Sequence, residues 1–311
     1  EEVLVSASLL PIAASRSANA ITVIDSEQLK NRAAVSVSDL LRDIPGLAVS
    51  RSGVVGSQTQ VRVRGTEANH LLVLIDGVEA GDPSQSDELN WATITASDIE
   101  RIEVIRGPQS ALRGSDAVAG VVNIITRSAK EPFSARFFAE AGSYGLHHSG
   151  ITLGTKGDST DLLLGASHLE TDGENISRSG NEKDGYQNSS YRLKGSWTVN
   201  ENLRLSTAGS YIHGMSEFDS DDDFDGLVED QNKVSEFCNS TFRTQADYQS
   251  SDGRYQHKLV YARAENINES YTDFTLGDVT SAIKDQYQYT GSVFWDGTSQ
   301  RLSLLLEREE E

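Results

Sequence analysis

A length of 311 residues allows about two domains, and a net charge of −20, from 27 basic and 47 acidic residues, excludes a nucleic-acid partner, which would be held through cationic surface. The single cysteine, Cys238, excludes an intramolecular disulfide or a cysteine-based zinc cage and reads as an isolated small strand residue. No run approaches the ~18 consecutive apolar residues of a membrane-spanning helix, and Glu1-Glu2 ahead of VLVSAS lacks the basic start of a signal peptide, as in a mature exported protein or a cytosolic one.

Residues 1–10, EEVLVSASLL, are acidic and then β-prone, ahead of Pro11. A strand here has no hairpin mate in the sequence and is expected to borrow an edge, from its own domain or from another protein. Ala20–Ile24 is a brief strand; Asp25-Ser26 then offers N-cap oxygens to a helical turn through Leu29. Ser36-Val37-Ser38-Asp39 has capping-box spacing and predicts a helix of about two turns, stopped by Pro45 and Gly46. Val61–Arg64, Leu71–Ile75 and Val121–Ile125 are rich in Val, Ile or Leu and bounded by turn residues, the pattern of buried strands. Ile102–Ile105 alternates and predicts a half-buried one. Arg64-Gly65 and Arg106-Gly107-Pro108 make arginine–glycine corners. Helices and short strands in this order predict a small α+β domain over residues 11–131.

After Pro132 the periodicity changes to two. Ala135, Phe137, Ala139 and Ala141 share one face, and alternating runs follow at His147–Thr155, Asp161–Glu170, Ser189–Thr198, Leu203–His213, Asn239–Tyr248, Arg254–Glu265, Ala282–Trp295 and Arg301–Glu307. About nine strands of roughly eight to fourteen residues result. Short connections (Gly157–Thr160, Asn200–Asn202, Ser250–Gly253, Asp296–Thr298) alternate with long polar ones (Thr171–Asn188, Gly214–Phe237, Asn266–Ser281). Turns at one end and loops at the other predict part of an antiparallel transmembrane β-barrel over residues 132–311. Nine strands are too few to enclose the first domain, since plugged barrels run to about 22 strands, so the sequence is expected to be the N-terminal portion of a longer protein.

The acidity is uneven. Residues 1–130 hold 16 acids and 12 bases, so −16 of the charge falls on 131–311. Met215–Asp230 alone carries eight acids and no base, a run whose repulsion opposes a compact loop unless a cation neutralises it. Asp221-x-Asp223-x-Asp225-Gly226 matches the first half of an EF-hand loop, but Asn232 stands where the bidentate glutamate belongs. The six histidines show no zinc spacing, and there is no G-x-S-x-G elbow, cysteine–histidine pairing or phosphate loop to support an enzyme.

The motif V-R-G-T at Val63–Thr66, with Val73–Val78, Ile102–Ser115 and Ala117–Thr126 in fixed order, resembles the plug domain of TonB-dependent outer-membrane receptors. The resemblance covers about 60 residues and implies a plug folded inside a barrel of about 22 strands, in a monomer embedded in outer-membrane lipid with its N-terminus periplasmic. It also implies uptake driven by TonB. Glu2-Val3-Leu4-Val5-Ser6-Ala7 then resembles a TonB box, the strand that pairs with TonB. Within the family the likeness is nearest to cobalamin receptors, through RGTEANHLLVLIDGV and the spacing from Asp76 to Pro108.

That likeness implies calcium, and no organic cofactor. The loop T-D-G…N-E-K-D-G-Y places Asp172, Glu182 and Asp184 at ligand positions, and EFDSDDDFDGLVED places Asp219 and Asp230 at the others. Plug positions matching ligand contacts are Gln58, Gln60, Glu67, Gln85 and Ser86. Glu67 departs from a neutral amide and Gln58 from an apolar residue, which leaves a ferric siderophore or another metal chelate as the alternative to a corrinoid. Inside a wet barrel Arg64 and Arg106 are expected to dock the plug against lumen-facing carboxylates.

Overall fold

The structure is a computed structural model and describes residues 3–4, 12–13, 19–178, 180–222, 225–295 and 300–311. At the N-terminus β1 (Val3–Leu4) pairs antiparallel with β2 (Ile12–Ala13), so the strand expected to lack a mate finds one within the chain. Glu2, Val5, Ser6 and Ala7 lie outside the described residues.

β3 (Ala20–Ile24) leads into α1 (Ser26–Arg32). The Asp25 carboxylate accepts from the backbone N–H groups of Glu27 and Gln28, and the Gln28 side chain accepts from the N–H of Asp25, a complete capping box that carries the helix past Leu29. α2 (Val37–Leu41) is shorter than the two turns expected, and its box does not form. Ser36 caps Ser38, but Asp39 turns instead to Arg51 at 3.0 Å.

β4 (Leu47–Arg51) and β5 (Thr59–Val63) make a separate hairpin, with Arg64 already in the turn at φ 52. The main plug sheet has the order β3-β8-β9-β6-β7, adding β6 (Leu71–Ile75), β7 (Val78–Glu79), β8 (Ile99–Arg106) and β9 (Gly120–Thr126). Only β6 and β9 pair in parallel. The run Ile102–Ile105 is wholly buried, not half-buried, because β8 lies between β3 and β9 with both faces covered. Ile102 and Val104 enter the main core beside Leu40, Val61, Val73 and Trp91, while Ile105 joins Leu72, Leu74 and Val121 behind it. Each such side chain contributes about 1.5–3 kcal/mol by leaving water. Glu103, the polar member of the run, is fully buried against Arg101 at 2.7 Å.

Nine antiparallel strands follow, each paired with its neighbours in chain order: β10 (Ser134–Ala141), β11 (His147–Lys156), β12 (Thr160–Thr171), β13 (Tyr186–Thr198), β14 (Leu203–Ser220), β15 (Glu229–Gln249), β16 (Tyr255–Thr272), β17 (Thr275–Trp295) and β18 (Gln300–Glu310). Leu162, Leu164, Leu193, Trp197, Leu259 and Leu304 stand exposed on one face, while His148, Thr152, Arg192, Asn266 and Lys284 are buried between the other face and the plug. Apolar-out and polar-in is the polarity of a lipid-facing barrel wall. Among the described residues no helix is long and apolar enough to cross a membrane.

The long connections differ from expectation. Residues 172–185 do form a long loop, but β14 and β15 extend so far that only 221–228 remain between them, and β16 and β17 meet at Asp273-Phe274. Strands reach 21 residues. The ladder continues where both faces of the strand meet water or polar groups, so the alternation that marks a strand in the sequence fades while its backbone bonds persist.

Candidate functional site

The plug docks on the sheet through its own acids. Asp76 sits in a left-handed turn (φ 50) before Gly77, which aims its carboxylate at the wall. There it accepts from Lys194 Nζ at 2.7 Å and from the Thr126 N–H at 3.1 Å. Asp98, 4 % exposed, accepts from Thr152 Oγ1 at 3.1 Å and faces Arg192 Nε at 4.0 Å. Lys284 lies 3.1 Å from Asp87 and 3.5 Å from Glu79, whose carboxyl burial pushes up to about 7 against the pull of that ammonium. Asn268 donates to Asp82 at 2.7 Å.

Arg64 and Arg106 take no part in this. Arg106 donates to the Pro45 carbonyl at 2.5 Å and to Thr22 Oγ1 at 3.0 Å, bracing the plug internally. Arg64 is exposed at its corner, and among the described residues neither arginine pairs with a carboxylate of the nine strands. The expected pairing is therefore reversed in sign, with acids on the plug and bases on the wall.

The β4–β5 hairpin points its tip, residues 52–58, toward the end of the sheet that carries the long loop. A Cβ on Gly53 would meet Ile176 at 3.3 Å, and the Gly56 carbonyl accepts from Ser216 Oγ at 3.1 Å. Gln58 is exposed on this tip. Gln60 donates to Glu88 at 3.1 Å, which brings β5 beside the segment holding Gln85 and Ser86. Both of those are exposed at the end of a 3₁₀ turn, Pro83–Gln85, that Asp82 caps. Glu67 lies beyond the other end of β5, a five-residue strand or roughly 17 Å of backbone. Four of the five candidate ligand contacts thus lie around the tip and the adjoining loop, and Glu67 does not join them.

At the same end three of the five candidate calcium ligands converge, and a fourth, Asp184, adjoins them. Carboxylate oxygens of Glu182, Asp219 and Asp230 lie within 4.8 Å of one another. Asp184 is 1 % exposed, and among the described residues its oxygens meet no more than the nearby Ile176 N–H; Glu182 Oε2 and Asp219 Oδ2 are buried and unpartnered there as well. Burial, reinforced by the neighbouring acids, pushes Glu182 up to about 7 and Asp184 to about 6. Asp230 is held by Asn175 Nδ2 at 3.0 Å and the Asn181 N–H at 3.1 Å. That approach requires Gly180 (φ +88), where a Cβ would overlap the Asp230 carboxylate at 1.3 Å.

Asp172 stands apart, exposed and 3.6 Å from Lys183. Asp221 spends its carboxylate on the N–H groups of Asp225 and Gly226, at 3.1 and 2.9 Å, and Asp222 pairs with Lys233 at 2.6 Å; Asp223 lies outside the described residues. The half EF-hand pattern therefore closes its own turn. Glu217 was not singled out by the sequence; it accepts the Gly185 N–H at 2.8 Å and adds a further acid to the group. Unpaired, buried carboxylate oxygens fit a hard divalent cation such as calcium, which takes six to eight oxygen ligands at roughly 2.3–2.6 Å.

Residues 13–121 match the family model described as the TonB-dependent Receptor Plug Domain. With the antiparallel strands that follow the plug, the chain belongs to the TonB-dependent receptors. Among curated relatives it is 32 % identical over 260 residues to the vitamin B12 transporter BtuB of Photobacterium profundum, covering 83 % of this chain and 41 % of that protein. Among solved structures it is similar to the alcaligin outer membrane receptor FauA of Bordetella pertussis (TM-score 0.76, 15 % identity, 99 % of this chain and 49 % of that one). It is similar also to the ferripyoverdine receptor of Pseudomonas aeruginosa (TM-score 0.74, 15 % identity, 99 % and 44 %). The chain thus spans less than half the length of each.

Proposed function

We propose that this chain is the plug and first wall strands of an outer-membrane receptor that takes up cobalamin or a related corrinoid by TonB-coupled transport. The observation that carries this reading is the group of Glu182, Asp184, Asp219 and Asp230, because a bound divalent cation relieves these buried carboxylates together while leaving them ionised, where protons relieve them only at lower pH. The 32 % identity to a vitamin B12 transporter supports the corrinoid, whereas FauA and the ferripyoverdine receptor, at 15 %, share the fold alone.

In this reading the loop end is extracellular, the N-terminus is periplasmic, and the exposed apolar face meets outer-membrane lipid around a monomer. Calcium supplies the positive charge that lets the acids ionise together, and Glu182 and Asp184 then tie the 172–185 loop to Asp219 and Asp230 on the β14–β15 hairpin. The exposed Gln58, Gln85 and Ser86 offer amide and hydroxyl groups to a ligand resting on the plug. Release of the Glu2–Ala7 segment to pair with a TonB strand then couples the plug to energy, since strand addition is made by backbone hydrogen bonds. Equilibrium binding of cyanocobalamin to the purified receptor, with ferric siderophores as competitors, is the test. Saturable cobalamin binding that iron chelates do not displace is expected; displacement by a ferric siderophore overturns the corrinoid.

A further inference from the structure

Tyr186 opens β13 two residues after Asp184 and is 2 % exposed. Its hydroxyl donates to the Ala92 carbonyl at 2.8 Å and accepts from Asn188 Nδ2 at 2.8 Å; the same amide donates to the Thr93 carbonyl at 2.9 Å. Its ring packs with Leu169, Ile212 and Phe237 of the wall and with Val35 and Val55 of the plug. The other side of the ring lies on Gly56, where a Cβ would come within 2.1 Å of it. Residue 56 is also at φ +97, so both space and backbone require glycine there.

One side chain thus holds two separate plug segments, the hairpin tip and the Trp91–Thr93 turn. Its own position follows from the acid group. Gly185 and Glu217 exchange two bonds, Gly185 N–H to Glu217 Oε2 at 2.8 Å and Glu217 N–H to the Gly185 carbonyl at 2.9 Å, and the adjacent Ser216 grips the Gly56 carbonyl. Ile176, on the same loop as Glu182, closes on Gly53.

We infer that Tyr186 is a positioning residue that transmits the state of the acid group to the plug tip, so that filling the cation site holds residues 52–58 in the ligand-receiving arrangement. This rests on the cation binding proposed above. Linkage makes the effect reciprocal: whatever ordering of the tip the cation produces, an ordered tip returns as tighter cation binding.

The test uses the receptor with Cys238→Ser and a nitroxide spin label at Ser52→Cys, an exposed tip position. Calcium binding is measured by calorimetry alongside. With Tyr186 present, saturating calcium is expected to shift the label from a mobile to an immobilised spectrum. Tyr186→Ala should lose that shift while still binding calcium, and Tyr186→Phe, which keeps the ring on Gly56, should restore it. Tyr186→Leu, which keeps an apolar side chain among Leu169, Ile212 and Phe237 but takes the ring off Gly56, should also lose the shift, which covers the case in which Tyr186→Ala fails to fold. Calcium bound with no change at Ser52, or a full response in a folded Tyr186→Ala receptor, overturns the inference alone. No calcium bound by the receptor before substitution overturns the cation reading and the inference with it.

Discussion

Asp184 owes its character to where the chain places it. The same residue type at Asp172 is an ordinary exposed partner of Lys183, whereas Asp184 is buried among other acids with no cationic partner among the described residues. The sign of the pH response follows. Glu182 is raised from 4.5 to about 7, so between those values the folded loop holds a proton that the unfolded chain has released. In a chelator the loop is therefore expected to be most ordered near the lower value and to loosen as pH rises through about 7, read by hydrogen exchange of residues 172–185. With calcium the trend reverses, because protons compete with the cation: affinity should rise as pH climbs through the region from about 6 to about 7. A chelated loop that tightens as pH rises would contradict the assignment. Elsewhere on the plug, Lys194→Met leaves the partly buried Asp76 with the Thr126 N–H and hydroxyl alone and should weaken plug docking by about 2 kcal/mol. Urea unfolding followed through the buried Trp91 measures it.

At the level of elements, what the sequence made legible was set by how each segment is solvated. Leu71–Ile75 was found to the residue because it is apolar throughout and buried throughout. Ile102–Ile105 reads as half-buried because Glu103 interrupts it, and nothing local reveals that Arg101 neutralises that glutamate inside the sheet. All nine wall strands are legible where an apolar and a polar face alternate, but the pattern of β14 to β17 stops short where both faces are polar. Phe274 is 89 % exposed at φ 61, a conformation that costs a bulky residue roughly 1–2 kcal/mol. Phe274→Gly should therefore stabilise the β16–β17 hairpin by about 1 kcal/mol, seen as slower exchange of its amides. Leu4→Pro removes a backbone donor from the first strand and should abolish TonB-driven uptake while leaving ligand binding intact. Undiminished uptake in that variant would sink the TonB-box assignment.

Across the whole molecule the plug and its wall are joined by pairs that only the fold brings together. Lys194 and Asp76 are 118 residues apart in sequence, and Lys284 and Glu79 are 205. The motif pointed to Arg64 and Arg106 because arginine–glycine corners are visible locally. The docking acids, by contrast, look like any turn aspartate until the opposing base is seen. Of the five positions the family likeness points to, the fold gathers the carboxylates of Glu182, Asp219 and Asp230 with Asp184 beside them, leaves Asp172 outside and adds Glu217. The ligand surface was the least legible part, since exposed amides such as Gln58 and Gln85 carry no pattern of their own. A cation-ordered loop end that captures a corrinoid above an acid-docked plug makes cyanocobalamin affinity depend on calcium, which titrations in calcium and in EDTA measure. EDTA is expected to weaken binding by about tenfold or more, the span of a typical coupling free energy, and Asp184→Ala with Asp230→Ala to reproduce the loss in calcium. Equal affinity in the two solutions would contradict it.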